Sequence, residues 1–379
     1  MKPVVIAGYT RSPFHFAKKG ALATVRPDDL AAHVVKGLLA QTGVQADDLE
    51  DLILGCAFPE GEQGFNMARL VGFIAGLPQS VAGVTVNRFC GSSMQSIHQA
   101  AGAIQMGAGD AFICAGVESM TRVPMMGFNP MPNPALYKSL PAAYIGMGDT
   151  AENVAKAYNI SRAAQENMAV TSHAKAAAAQ KAGRLADEIT AIPTANGLVE
   201  ADGCIRPETT AESLADLKPA FAADGVVTAG TSSPLTDGAS AVLVCAEEYA
   251  MKNGLQPLAR IKSIAVSGCA PEIMGMGPVG ASTKALERAG LAAGDLDVVE
   301  LNEAFAAQAL ACIDQLGLSE DIINIDGGAL ALGHPLGATG ARIVGKAASL
   351  LRRTGGKYAL SSQCIGGGQG IATVLEAVS

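Results

Sequence analysis

The chain has 379 residues, 49% of them hydrophobic and 16% charged, with a formal net charge of −8. That length exceeds one ordinary domain, and the composition excludes a disordered chain. Without a long basic run nothing favours a nucleic-acid surface, and no apolar run nears the roughly 20 residues of a membrane helix.

Aromatic residues are only 4% and Trp is absent, so the core is built from Ala, Val, Leu, Ile and 44 Gly. Such small residues suit close packing of helices on sheets. Eight cysteines are spread along the chain without a C-x-x-C pair. Disulfide frameworks and zinc sites need tighter clustering, so reduced thiols, a cytoplasmic home and no metal are expected. The opening run from Met1 to Gly8 reads as a first β-strand and lacks the pattern of a signal peptide.

Along the chain, a helix ends at Gly43 and the pattern restarts at Asp48-Leu49. The apolar run Val84–Val86 then leads through Asn87-Arg88-Phe89 to Cys90. Met94, Ile97, Ala101 and Ile104, spaced 3, 4 and 3, predict a helix that begins just after Cys90 and stops at Gly107. A strand is expected over Ala111–Ala115. A thiol at a helix start meets unpaired N–H groups and the helix dipole, which predicts a lowered pKa.

From Glu118 to about Asp224 the pattern changes. Ser119–Pro141 is rich in Met and Pro and too irregular for regular structure. Asp149 with Glu152 suggests a capping box, and Ser161 a cap for a second helix running to Gly183. This stretch reads as an insertion lying over the site. Its methionines suit either a flexible apolar channel or the filling of core gaps.

Past the insertion the chain repeats itself. Ala285–Leu296 matches Leu38–Leu49, in a register that sets Gly290 on Gly43. The same register carries Cys90 close to His334. A second stripe, Ala341, Val344, Ala348 and Leu351, follows with the same spacing, and Gly355-Gly356 stops it before a strand at Tyr358. Two related halves therefore carry Cys90 and His334 on equivalent turns. The expected organisation is a first half over 1–118, with 225–248 returning to it, an inserted loop domain over 119–224, and a second half over 249–379. Cys364 ends the last strand run and opens Ile365-Gly366-Gly367-Gly368, where backbone N–H groups can approach a ligand oxygen.

Four motifs bear on chemistry: Val86–Gln95 around Cys90, Asn302–Gln308, Gly327–Arg342 around His334, and Cys364–Gly370. Together and in this order they resemble thiolases along the whole chain. The resemblance implies an α/β fold, with two duplicated mixed-sheet halves in five alternating layers and an inserted loop domain. It implies Cys90 as the acylated nucleophile and Cys364 as the acid/base. His334 and a water held by Asn302 form one oxyanion hole, and the N–H groups of Cys90 and Gly366 form the other. It also carries over Arg206, Ala229, Ser233, Met147 and Phe305 as contacts to coenzyme A or the acyl group. Coenzyme A and acyl-CoA are then substrates, with no permanently bound cofactor, and a homodimer or homotetramer is expected. A further subunit, as in β-oxidation complexes, is left open.

The chemistry follows from the residues. A thiolate attacks the ketone carbon of a 3-oxoacyl thioester, the C2–C3 bond breaks, and the acetyl-CoA enolate leaves. A second thiol, with an ordinary pKa of about 8.5, suits the proton transfer. Thr231-Ser232-Ser233 and Gly146 beside Met147 resemble degradative 3-ketoacyl-CoA thiolases and suggest an acyl channel reaching beyond acetoacetyl-CoA. The alternatives are synthesis of acetoacetyl-CoA from two acetyl-CoA and a silent CoA- or lipid-binding protein. β-Ketoacyl synthases share the fold but commonly use two histidines and lack the Cys364 ending. Cys56, Cys114, Cys204, Cys245, Cys269 and Cys312 read as inert small hydrophobes, and His15, His33, His98 and His173 as structural.

Overall fold

The computed structural model describes residues 2–378. The first strand, β1 (Val4–Arg11), is buried along its whole length. Met1 lies outside the described residues, as does Ser379. A two-residue strand β2 (His15–Phe16) follows, then α1 (Pro27–Thr42), β3 (Asp51–Gly55), α2 (Met67–Ala75), β4 (Ala82–Val86), α3 (Ser92–Met106) and β5 (Ala111–Ser119). Pro27 at the start of α1 and Asp28 and Asp29 in its first turn suit the N-terminal end of a helix. Gly107 and Gly355 end α3 and the last helix at φ of 73° and 71°, the left-handed conformation that glycine adopts without strain.

The intervening segment holds α4 (Pro134–Ser139), α5 (Met147–Ala157), α6 (Arg162–Lys181), a small hairpin of β6 (Ile192–Thr194) and β7 (Gly197–Val199), and α7 (Ala211–Ala215). Ser161 caps α6, its hydroxyl accepting from the N–H of Ala164 at 3.2 Å. The capping box expected at Asp149 and Glu152 does not form. Glu152 instead accepts from the N–H groups of Val226 and Val227, at 3.0 and 2.9 Å, and ties α5 to the chain returning from the insertion. Of the methionines of Ser119–Pro141, Met125, Met126 and Met131 are exposed, and Met120 is buried as a gap-filling residue is. Pro134–Ser139 is helical where irregular structure was expected, because Asn133 caps it through its side chain and Pro134 occupies its first turn.

β8 (Thr236–Ala246) and α8 (Glu247–Lys252) complete the first half. The second half follows as β9 (Ala259–Gly268), α9 (Gly277–Ala289), β10 (Val298–Leu301), α10 (Ala306–Leu316), α11 (Ala329–Leu332), α12 (Leu336–Thr354), β11 (Tyr358–Ile365) and β12 (Gln369–Glu376). The large sheet runs β10-β11-β12-β9-β1-β8-β5-β3-β4, with β2 on β8. Its two ends have the same plan. β1-β8-β5-β3 repeats as β9-β12-β11-β10, with antiparallel, antiparallel and parallel pairings in turn. The first half adds one edge strand, β4, parallel to β3. Within the sheet, the described residues join the halves through two β1–β9 pairs, Val5 with Arg260 and Ile6 with Ala259.

α3 and α12 pack on each other and touch strands of both halves, while α1 lies outside the first half-sheet and α9 outside the second. Helix, sheet, helix, sheet, helix make the five layers of the expected α/β fold. Both predicted stripes face inward, since Met94, Ile97, Ala101, Ile104, Ala341, Val344, Ala348 and Leu351 all lie in one apolar core. The central pair approaches closely: a Cβ on Gly340 lies 2.2 Å from the backbone nitrogen of Met94. This contact sets the turns before α3 and α12 side by side.

Candidate active site

Cys90 sits on the turn between β4 and α3. The preceding residue, Phe89, has φ of 41°, an uncommon conformation for a residue with a side chain. Hydrogen bonds hold it there. Asn87 accepts from the N–H of Phe89 at 2.8 Å, and the Ser92 hydroxyl donates to the Phe89 carbonyl at 2.6 Å. The strained turn sets the Cys90 thiol near Gly366, on the turn after β11, where the N–H groups of Gly366 and of Cys90 itself favour the thiolate. Gln363 donates to the Cys90 carbonyl, which ties this turn to β11.

The lowered thiol pKa expected from the helix start is not found. Burial pushes Cys90 up to about 11, and the neighbouring Glu118 adds to it; the Gly366 N–H opposes the rise without cancelling it. The helix begins two residues later, and removal from water outweighs its dipole. Cys364 is buried next to Cys90, its pKa raised by burial first and then by Cys90.

His334 stands on the turn before α12 and is almost fully buried. Its Nδ1 lies 2.6 Å from the Thr339 hydroxyl, and its Nε2 lies 3.4 Å from Asn302 Nδ2. Burial lowers its pKa to about 3, with Arg342 contributing, so the ring is neutral at working pH. Asn302 follows β10, and its side-chain oxygen is buried without a partner.

Met147 and Phe305 pack in the apolar cluster around Cys364, and a Cβ on Gly366 lies 3.5 Å from the Met147 sulfur. Ser233 donates its N–H to Ala304 at 3.0 Å, which joins its loop to the Asn302 loop. Ala229 is exposed at the start of that loop. Arg206 stands apart on the intervening segment, its N–H on His173 Nδ1 at 3.1 Å and its guanidinium over the Phe16 ring. Gly146 is the exposed cap of α5, and a Cβ there meets Asp149 rather than Cys90. The apolar floor beside Cys90 is made instead by Ala57, Phe58, Met120 and Leu336.

Two residues were missed from the sequence. Glu118, read only as the edge of the insertion, is a buried carboxylate that accepts from the N–H groups of Ala57, Phe58 and Gly337 and from Gln63, at 2.8 to 3.2 Å. It locks the His334 turn onto the first half. Its one signal was an acid at the end of a wholly apolar strand run. Thr339 carried only its place five residues after His334.

With this geometry in hand, comparison with known proteins is informative. Residues 4–248 match the thiolase N-terminal domain and residues 255–377 the thiolase C-terminal domain. A 3-ketoacyl-CoA thiolase of Bacillus subtilis (strain 168) is 48% identical over 99% of this chain and 100% of its own length. One of Vibrio cholerae serotype O1 (strain ATCC 39315 / El Tor Inaba N16961) is 49% identical over 99% and 100%. The crystal structure of human mitochondrial 3-ketoacyl-CoA thiolase superposes with a TM-score of 0.92 at 38% identity, covering 100% of this chain and 99% of that one. A second structure of that enzyme, in complex with CoA, matches equally well, with a TM-score of 0.92. The chain belongs to the thiolase family.

Proposed function

We propose that the chain is an acyltransferase of the 3-ketoacyl-CoA thiolase type. It cleaves 3-oxoacyl-CoA with CoA to give acetyl-CoA and an acyl-CoA two carbons shorter. The observations that carry this reading are Cys90 set against Cys364 and Gly366 across the two halves, and the buried Asn302–His334 contact. The relatives named for this activity support it along the full length.

In the first step the Cys90 sulfur attacks C3 of the substrate, and neutral His334 serves to take up the thiol proton. The developing oxyanion is met by preorganised N–H donors. The C2–C3 bond breaks, the acyl group stays on Cys90, and Cys364 gives its proton to C2 of the leaving enolate. In the second step the Cys364 thiolate takes the proton of incoming CoA. The CoA sulfur attacks the thioester, and Cys90 leaves and takes back its proton from His334. The apolar floor of Ala57, Phe58, Met120 and Leu336 supports an acyl chain longer than acetoacetyl. Met147, Phe305 and Ser233 border the thioester end, with Ala229 and Arg206 further out along the CoA. CoA is a substrate here, and the solved human relative holding CoA supports that placement.

Cys90→Ala should abolish thiolysis and leave the fold intact, because it removes one sulfur at a turn. Mass spectrometry of wild type given 3-oxoacyl-CoA and little free CoA should find the acyl group on Cys90. An acyl group on any other cysteine refutes the assignment.

The working form is inferred to be a homodimer or a dimer of dimers. β4 is an edge strand, open on its outer side and carrying exposed Val84, and Phe65, Leu70, Phe73, Ile74 and Phe89 are exposed nearby in sequence. Apolar edges of this kind invite a second copy. Among the described residues no helix is long and apolar enough to cross a membrane. The eight free cysteines support a reducing compartment such as the cytoplasm.

A further inference from the structure

The two half-sheets part below their short seam. Among the described residues β1 and β9 pair only at Val5 and Ile6, and β1 has no further partner on that side until Arg11 bridges Ile189. A cavity of about 570 Å³ opens there, between Ala7–Tyr9, the end of α1, the loop Gly254–Leu258 and the last three turns of α12. That volume is in the range of small-molecule sites. His334 precedes α12 and Lys346–Arg353 end it, so the cavity lies about 15–30 Å from the catalytic turns at 1.5 Å per residue.

Its charge is opposite in sign to that of the chain. Arg184, Lys346, Arg352 and Arg353 line it, against Asp187 and Glu188. Of the carboxylates within reach, Glu188 and Asp326 are already engaged, while Asp187 has no ion-pair partner among the described residues. Glu188 takes Arg11 at 2.8 Å and Lys346 at 2.9 Å. Asp326, behind the wall, takes Arg184 at 2.9 Å, Lys346 at 2.8 Å and Arg353. Among the described residues, Arg352 has no ion-pair partner, and Arg184 uses only its Nε. Tyr9 also borders the cavity, and its hydroxyl is buried with no hydrogen-bond partner, in the field of Glu188 and Arg11. A net-positive hollow with unspent guanidinium forks, in an acidic protein, suits an oxyanion.

We propose that this cavity is a second binding site, separate from the acyl-transfer site, for a phosphate-bearing small molecule. The phosphate takes the free edges of Arg184 and Arg352, and the bound molecule bridges both halves and the intervening segment at once. Inorganic phosphate and a nucleotide present the same chemistry, so both serve as probes.

The test is isothermal titration calorimetry of the full-length protein with inorganic phosphate and with ADP. Saturable binding is expected for at least one. Phosphate alone assigns the site to a small oxyanion, and tighter ADP binding assigns it to a nucleotide. Arg352→Glu, at an exposed and unpaired position, should raise the Kd roughly tenfold to a hundredfold, as loss of a charged hydrogen bond does. Arg184→Gln should act in the same direction, and both variants should keep wild-type thiolysis rates. Absence of saturable binding for both probes overturns the proposal. So does binding that Arg352→Glu and Arg184→Gln leave unchanged, which would place the ligand elsewhere.

Discussion

The Cys90 thiol is held protonated in the resting site, because burial pushes its pKa to about 11 against the pull of the Gly366 N–H. The thiolate fraction should therefore rise about tenfold per pH unit through the neutral and alkaline range. Iodoacetamide labelling of Cys90, followed by mass spectrometry between about pH 6 and pH 10, should show that slope; a rate already level near pH 7 contradicts it. Thr339 makes a second prediction. Its hydroxyl, 2.6 Å from His334 Nδ1, fixes the ring and leaves Nε2 facing Asn302. Thr339→Val should lower kcat roughly tenfold to a hundredfold with KM little changed, as loss of one buried hydrogen bond implies. Thr339→Ser should restore it, and a matching loss in Thr339→Ser, or a change in KM alone, counts against this role. Cys90, His334, Asn302 and Cys364 could be nominated from sequence because each stands in a motif with its own local pattern. Thr339 and Glu118 could not, since their meaning lies in partners brought near only by folding. The sign of the Cys90 shift was misread for the same reason: a helix start is local, whereas desolvation depends on the whole surround.

Between elements, the α3–α12 contact decides how the catalytic turns meet. Glycine is needed at 340 for proximity, since a Cβ there falls 2.2 Å from the Met94 nitrogen. Backbone cannot yield as a flexible side-chain end can. Gly340→Ala should therefore destabilise the protein by roughly 1–3 kcal/mol or more, the usual cost of overpacking, even though alanine favours helix. Urea unfolding measures it, and an unchanged or raised midpoint refutes the account. The helices themselves were readable: stripes spaced 3, 4 and 3, with glycine stops, gave both α3 and α12. The false capping box at α5 shows the limit. Asp149 and Glu152 have the right spacing, but Glu152 is drawn away by two backbone N–H groups some seventy positions further on. Spacing cannot report a competing tertiary partner.

For the molecule as a whole, the exposed apolar edge at β4 predicts self-association. Sedimentation at micromolar concentration should give a dimer or tetramer of the 38.3 kDa chain. A fully active monomer refutes that reading. The duplication was legible because matching helix ends and turns recur at one register, and the paired strand order β1-β8-β5-β3 and β9-β12-β11-β10 bears it out. What sequence did not reveal is how unequally the two copies are assembled in time. Every strand of the second copy lies in one unbroken stretch, Ala259–Glu376, so that copy is complete as soon as its residues exist. The first copy is interrupted. Val4 pairs with Ala246, and all of β5 pairs with β8, which is made only after the entire insertion. Because loop closure must precede the reward of such contacts, a growing chain on the ribosome holds β1, β3 and β5 without their central partner until Thr236–Ala246 is made. The half that carries Cys90 is thus begun first and closed late, and it is the half that most needs shielding from other chains while it waits.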